Sequence, residues 1–187
     1  ITHLGISPNF WVQRDNVMNG ARAGHTATLL PSGQILLAGG CLYDFSTKSY
    51  YYKTELFDYR DTDSRATFEQ DSQLVVARLH HTATLLTNGN ILVAGGLNET
   101  TCLNSAELID TDWFPGPDTG SLTVARYNHT ATLLPNGNVL VGGGKCNGSF
   151  HDSVEMYDPG MENWSTLEPL SQSRTSHTAT LLPNGKV

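Results

Sequence analysis

Four near copies of one twelve-residue segment constrain this chain more than any other feature. They read Arg22-Ala-Gly-His-Thr-Ala-Thr-Leu-Leu-Pro-Ser-Gly, Arg78-Leu-His-His-Thr-Ala-Thr-Leu-Leu-Thr-Asn-Gly, Arg126-Tyr-Asn-His-Thr-Ala-Thr-Leu-Leu-Pro-Asn-Gly and Arg174-Thr-Ser-His-Thr-Ala-Thr-Leu-Leu-Pro-Asn-Gly. Their histidines, His25, His81, His129 and His177, are 56, 48 and 48 residues apart. A fixed period of this length marks a stack of one supersecondary unit, because a single copy cannot bury its own apolar face.

The register continues beyond the segment. In the three complete copies a glycine pair begins 14 residues after the histidine, at Gly39-Gly40, Gly95-Gly96 and Gly143-Gly144. The blocks Glu55-Leu-Phe-Asp58, Glu107-Leu-Ile-Asp110 and Glu155-Met-Tyr-Asp158 follow, then an aromatic residue at Phe68, Trp113 and Trp164. Trp113 stands thirteen residues before the next repeat's arginine, whereas Phe68 and Trp164 stand ten before theirs, so the outer strand of the second copy is expected to be displaced. The eight extra residues of the first copy fall in two loops, four on each side of Glu55.

Each copy reads as β structure. His-Thr-Ala-Thr-Leu-Leu is β-branched and apolar, and a second apolar run follows at Ile35-Leu-Leu-Ala, Ile91-Leu-Val-Ala and Val139-Leu-Val-Gly. Between the two runs lie Ser32-Gly33, Asn88-Gly89, Asn136-Gly137 and Asn184-Gly185, which predict two-residue hairpins with both residues at positive φ. Consecutive apolar positions predict strands covered on both faces, with neighbouring units as the cover. The glycine pair permits unusual dihedrals and close backbone approach. The Glu-x-x-Asp block and the aromatic residue supply a third and an outer fourth strand, so the fold class is all-β.

Composition agrees and excludes some partners. With 39% hydrophobic, 16% charged and 18 glycines among 187 residues, the chain is globular and rich in turns. A net charge of −7 and only four lysines exclude nucleic acid, which needs clustered cationic side chains. No stretch approaches the roughly 18 apolar residues of a membrane helix, so no membrane insertion is expected. The start Ile1-Thr2-His3-Leu4 has neither an initiator Met nor a leader and reads as processed or cut. Cys41, Cys102 and Cys146 form no C-x-x-C pair, and the fold is expected to depend little on them.

Arg-x-x-His, the glycine pair after the second strand, Glu-x-x-Asp on the third and Trp on the fourth resemble the kelch motif, over nearly the whole chain from Phe10 onward. The spelling His-Thr-Ala-Thr-Leu-Leu-Pro-Asn-Gly is similar to the kelch repeats of large secreted or surface proteins and of the galactose-oxidase group. The resemblance implies a β-propeller of four-stranded antiparallel blades. Residues 1–21 would end a preceding blade, residues 22–77, 78–125 and 126–173 would be three full blades, and residues 174–187 the first hairpin of another. Since a propeller closes with about 4–8 blades, the ring is expected to be completed by further blades of a longer protein, or by a second copy of the chain. A composite blade joining residues 10–20 to the last hairpin is a further route to closure.

The repeated side chains read as frame. Arg22, Arg78, Arg126 and Arg174 recur with Glu55, Glu107 and Glu155 as expected buried ion pairs. Histidines at one position in every copy read as structural, and His80 and His81, expected as neighbours in a strand, point to opposite faces and cannot hold one ion together. No metal, cofactor or catalytic residue is assigned. Galactose-oxidase-like copper enzymes place a Tyr before this histidine; here Gly24, His80, Asn128 and Ser176 stand there. A copper oxidase fragment therefore remains an alternative only through residues elsewhere, and a cytoplasmic kelch adaptor is a second.

The leading reading is a non-catalytic scaffold that binds a protein or carbohydrate ligand. In kelch propellers the loops before the first strand and between the second and third share one face. Here that face would carry His80, Tyr127, Asn128 and Ser176, then Tyr43, Phe45, Tyr50, Tyr51 and Tyr52 in the loop Cys41 to Thr54, then Phe150 and His151. Variable aromatic loops on a constant frame suit recognition. Sequons at Asn98, Asn147 and Asn163 mark glycosylation candidates and favour an extracellular or cell-surface protein; a fourth, at Asn128, adjoins the inner strand.

Overall fold

A computed structural model of the chain describes residues 22–41, 54–57 (backbone only), 74–99, 101–110 and 119–187. The expected strand before residue 22, the aromatic loop with Tyr43, Phe45 and Tyr50 to Tyr52, and the outer-strand residues Phe68 and Trp113 lie outside them.

Among the described residues there is no helix. The first sheet is an antiparallel meander of β1 (Thr26–Leu29), β2 (Ile35–Ala38) and β3 (Thr54–Phe57). The second repeats it with β4 (Thr82–Leu85), β5 (Ile91–Ala94) and β6 (Ala106–Ile109). The third begins with β7 (Thr130–Leu133) and β8 (Val139–Gly142). A short ribbon of β9 (Lys145–Cys146) and β10 (Ser149–Phe150) follows, then β11 (Val154–Asp158) and β12 (Asn163–Leu167). The third sheet is thus four-stranded, in the order β12-β11-β8-β7.

Register is the same in all three. Thr26 faces Ala38, Thr82 faces Ala94 and Thr130 faces Gly142 in the first pairing, while Glu55, Glu107 and Glu155 face Leu37, Val93 and Val141 in the second. The glutamates of the Glu-x-x-Asp blocks therefore lie on the third strand, with Glu155 opposite Thr166 of the outer one.

Strand β4 packs beside both β1 and β7, so the three sheets stand side by side on their first strands. The core lies between them, and β5 shows why its sequence does not alternate. Ile91 and Val93 join Leu30, Leu36, Leu74 and Ile109 on one side, while Leu92 and Ala94 join Leu86, Leu122, Val139, Val141 and Tyr157 on the other. All four β5 residues are buried, as two covered faces require. Tyr157 stacks obliquely on Trp164 at 5.1 Å between ring centroids, so the outer-strand tryptophan covers this second cluster.

The hairpin loops differ from the sequence expectation. Only the glycine takes positive φ, at +87° in Gly33, +93° in Gly89 and +89° in Gly137, while the preceding Ser or Asn does not. The N–H of Gly89 donates to Leu86 O at 3.1 Å and the N–H of Leu86 to Asn90 O at 2.8 Å. This is a type I turn closed by a left-handed glycine, a three-residue loop rather than a two-residue one. Proline suits the second position of such a turn, which accounts for Pro31 and Pro135, and the Asn88 side chain accepts the N–H of Asn90 at 3.1 Å. A two-residue turn with both φ positive occurs elsewhere, at Asn147 (+48°) and Gly148 (+81°) between β9 and β10.

At the C-terminal end the same loop forms, Gly185 N–H donating to Leu182 O at 2.9 Å, but Thr178 to Leu182 pair with no strand.

Candidate functional site

Arginine and glutamate build the floor on which the candidate face rests. Arg126 is fully buried and donates to the carbonyls of Val124, Gly143 and Ser153, to the Ser153 hydroxyl at 2.8 Å and to Glu155 at 2.7 Å. Glu155, also fully buried, accepts the N–H groups of Thr123 (2.6 Å) and Val124 (3.2 Å) as well. One pair therefore ties the strand entry, the end of β8 and the start of β11 together. Arg78 and Glu107 repeat the arrangement with Val75, Val76, Gly95 and Ser105. Arg174 is exposed, and its Nε reaches only Gln172 O, at 3.4 Å.

The repeated histidines reach across sheets. The Nε2 atoms of His81, His129 and His177 lie 3.0, 3.0 and 3.1 Å from the hydroxyls of Thr26, Thr82 and Thr130, each in the preceding sheet's first strand. Burial foremost, helped by Arg78 and Arg126, pushes the pKa of His81 and of His129 down to about 3, so both rings are neutral. The described residues contain no cluster of His, Cys, Asp and Glu suited to a metal ion.

The glycine pair is required by the same contact. A Cβ on Gly95 would stand 2.6 Å from the Arg126 carbonyl oxygen and 2.8 Å from His129 Cε1. The N–H of Gly96 donates to that carbonyl at 2.8 Å. Each pair thus receives the backbone and imidazole of the next repeat, an approach closed to any residue with a side chain.

Above this frame lies the candidate face. His80 is not in a strand: it takes a left-handed conformation (φ +55°), as do Asn128 (+54°), Ser176 (+52°) and Gly24 (+69°) at the same repeat position. The expectation that His80 and His81 alternate as strand neighbours fails for that reason. A backbone chain links these positions, His80 N–H to Gly24 O (2.8 Å), Asn128 N–H to His80 O (3.1 Å) and Ser176 N–H to Asn128 O (2.9 Å). With the four repeat histidines they line an open polar depression of about 320 Å³.

The structure brings several predicted face residues together. Tyr127 bridges to Lys145 across the strand entry, its ring lies 6.3 Å from that of His80, and Lys145 Nζ stands 5.2 Å from its centroid. Phe150, 58% exposed, pairs with Lys145 across the β9–β10 ribbon. His151 instead turns inward: its N–H donates to Gly144 O and its Nε2 is buried. Of the sequons, Asn98 accepts from Thr101 in a local turn, Asn147 forms the β9–β10 turn and Asn163 is exposed at the start of β12.

Two features went unread in the sequence. Lys145 is the cation of the face, and Cys102 and Cys146 form a disulfide, Cα–Cα 5.8 Å, that joins the loops following the second strands of neighbouring sheets. The fold is thereby cross-linked through cysteines on which it was expected to depend little. Both follow a glycine pair in adjacent repeats, but at different distances from it, so the repeat alignment does not pair them. Cys41 is free.

The fold and frame define a class: an all-β repeat protein of antiparallel meanders keyed together by Arg, Glu, His and Gly-Gly. The kelch motif model matches residues 125–171, which span the third sheet, and supports a kelch-repeat protein. No curated protein matches the chain.

Proposed function

We propose that this chain is part of a kelch β-propeller acting as a non-catalytic, extracellular binding scaffold, with the strand-entry residues and the loops after the second strands as its ligand face. Kelch repeats generally mediate protein binding; the ligand class proposed here is protein or carbohydrate. The observation that carries the reading is the division of labour. Arg78, Arg126, Glu107, Glu155, His81, His129 and the glycine pairs are consumed in frame contacts, while Tyr127, Lys145 and Phe150, which differ from copy to copy, stand together at one end of the third sheet. The Cys102–Cys146 disulfide favours an oxidising compartment, and exposed Asn163 is a fitting glycan site. By the same reading the sheets belong to blades over residues 22–77, 78–125 and 126–173.

The test is binding of the protein to printed arrays of glycans and of extracellular proteins, repeated with Tyr127→Ala and Phe150→Ala. Saturable binding weakened by these variants supports the reading. Absence of binding overturns it, as does stoichiometric copper with peroxide production from a primary alcohol.

A further inference from the structure

The left-handed residues lining the polar depression are unlike the rest of the frame. Their position demands positive φ in all four copies, yet only Gly24 is a glycine. Asparagine and histidine enter this region more readily than other L-residues, but glycine fits it best and serine has no special tolerance for it. Gly24 accepts the His80 N–H in the same backbone chain without a side chain, so the chain itself needs none there. Three side chains are therefore kept where backbone economy favours glycine, and they differ: imidazole, amide and hydroxyl. Strain retained at a fixed place by variable polar groups is the pattern of a functional surface.

The depression also has a definite chemistry. No Lys, Arg, Asp or Glu lines it. Arg78 and Arg126 are buried and consumed in the frame. His81 and His129 are neutral, and burial together with Lys145 depresses His80 as well. Imidazole, amide and hydroxyl groups each both donate and accept, as does a sugar hydroxyl, whereas an ionic ligand would need a countercharge. The volume of about 320 Å³ is at the small end of ligand sites, and the His80 ring that lines it has the Tyr127 ring 6.3 Å away. From this juxtaposition we infer that His80, Asn128 and Ser176 form a subsite for an uncharged, hydroxyl-rich ligand, the terminal residue of a glycan. The inference rests on the binding-scaffold reading and narrows it to one place and one ligand class.

The glycine of the first copy supplies the test. His80→Gly, Asn128→Gly and Ser176→Gly, singly and together, remove the side chains while relieving the backbone, and retention of the parent far-ultraviolet dichroism shows that the fold is kept. The probes are the methyl glycosides of glucose, galactose, mannose and N-acetylglucosamine, with methyl glucuronide as the charged comparison. Binding is followed by NMR at the Asn128 side-chain amide and the His80 ring in the parent, and affinities of parent and variants are compared by titration calorimetry. At least one neutral glycoside should shift both signals saturably, with affinity at least about tenfold weaker in the triple variant, a loss of roughly 1.4 kcal/mol. No shift with any neutral glycoside overturns the subsite, as does a response to the glucuronide alone or equal affinity in the triple variant. Array binding that survives the triple variant overturns the subsite and leaves the wider reading standing; absence of array binding overturns both.

Discussion

The Nε2 nitrogen of His129 lies 3.0 Å from the hydroxyl of Thr82, which belongs to the first strand of the preceding sheet. His81 and Thr26 share the same relationship, at the same distance. These bonds cross the gap between sheets, and they place two neutral imidazoles where a proton is unwelcome.

The first prediction concerns acid. His81 and His129 have folded pKa values of about 3, whereas an unfolded histidine titrates near 6.5. Below pH 6.5 the unfolded state binds the extra protons, so stability that is full above that pH is lost progressively as pH falls toward about 3. Each ring should cost about 1.4 kcal/mol per pH unit across this window. Urea unfolding between pH 6 and 5 should show an uptake of at least about two protons, and His129→Gln should lower it by about one. An uptake unchanged by that substitution would contradict the buried, neutral assignment.

The second concerns the buried ion pair. Arg126→Met should cost about 3–5 kcal/mol, since it strands a fully buried Glu155. Adding Glu155→Leu should not restore the parent, because Arg126 also satisfies the carbonyls of Gly143 and Ser153. Arg174→Met, at an exposed position, should stay within about 0.5 kcal/mol. Chemical denaturation of the three variants separates an ion-pair role from a carbonyl-capping one.

The third sets two glycines against each other. Gly95→Ala would force a methyl group to 2.6 Å from a backbone oxygen, so the next repeat must move, and a drop of several kcal/mol is expected. Gly148→Ala meets nothing within 4 Å and should cost only about 1–2 kcal/mol, for its positive φ. Thermal melting of both should place the Gly95 variant clearly lower; equal melting would deny the close approach.

The fourth addresses the cross-link. Cys102 and Cys146 are 44 residues apart, and opening a loop of that length should cost about 2–4 kcal/mol. Cys102→Ser with Cys146→Ser should melt lower by that amount and lose sensitivity to a thiol reductant. Cys41→Ser should keep both the stability and the reductant response.

Much of this was legible in the sequence because its physics is local or repeated. The β-branched runs became strands, the glycine pairs became points of close approach, and the Arg–Glu offset of 29 residues became the Arg126–Glu155 and Arg78–Glu107 pairs. The turns were misread because Asn-Gly serves more than one loop type; proline ahead of it, in Leu134-Pro135-Asn136-Gly137, points to the type I form found. The left-handed rim was legible only in part. Glycine and asparagine hint at it in Gly24 and Asn128, but histidine and serine at the equivalent places do not, since the conformation is imposed by the hydrogen bond from the neighbouring repeat. Cys102 and Cys146 look unrelated in sequence because what joins them is the side-by-side packing of two sheets.

The histidine–threonine bond has an arrow. At each of the three described junctions the later repeat lends its imidazole and the earlier one its threonine hydroxyl, so the two sides of a sheet are different surfaces. Such head-to-tail contacts cannot be satisfied by turning one unit over: every addition must enter in the same sense. Damage at one junction should therefore pass to its immediate neighbours in a fixed order, and the assembly of these sheets behaves as a polar array whose couplings are set one junction at a time.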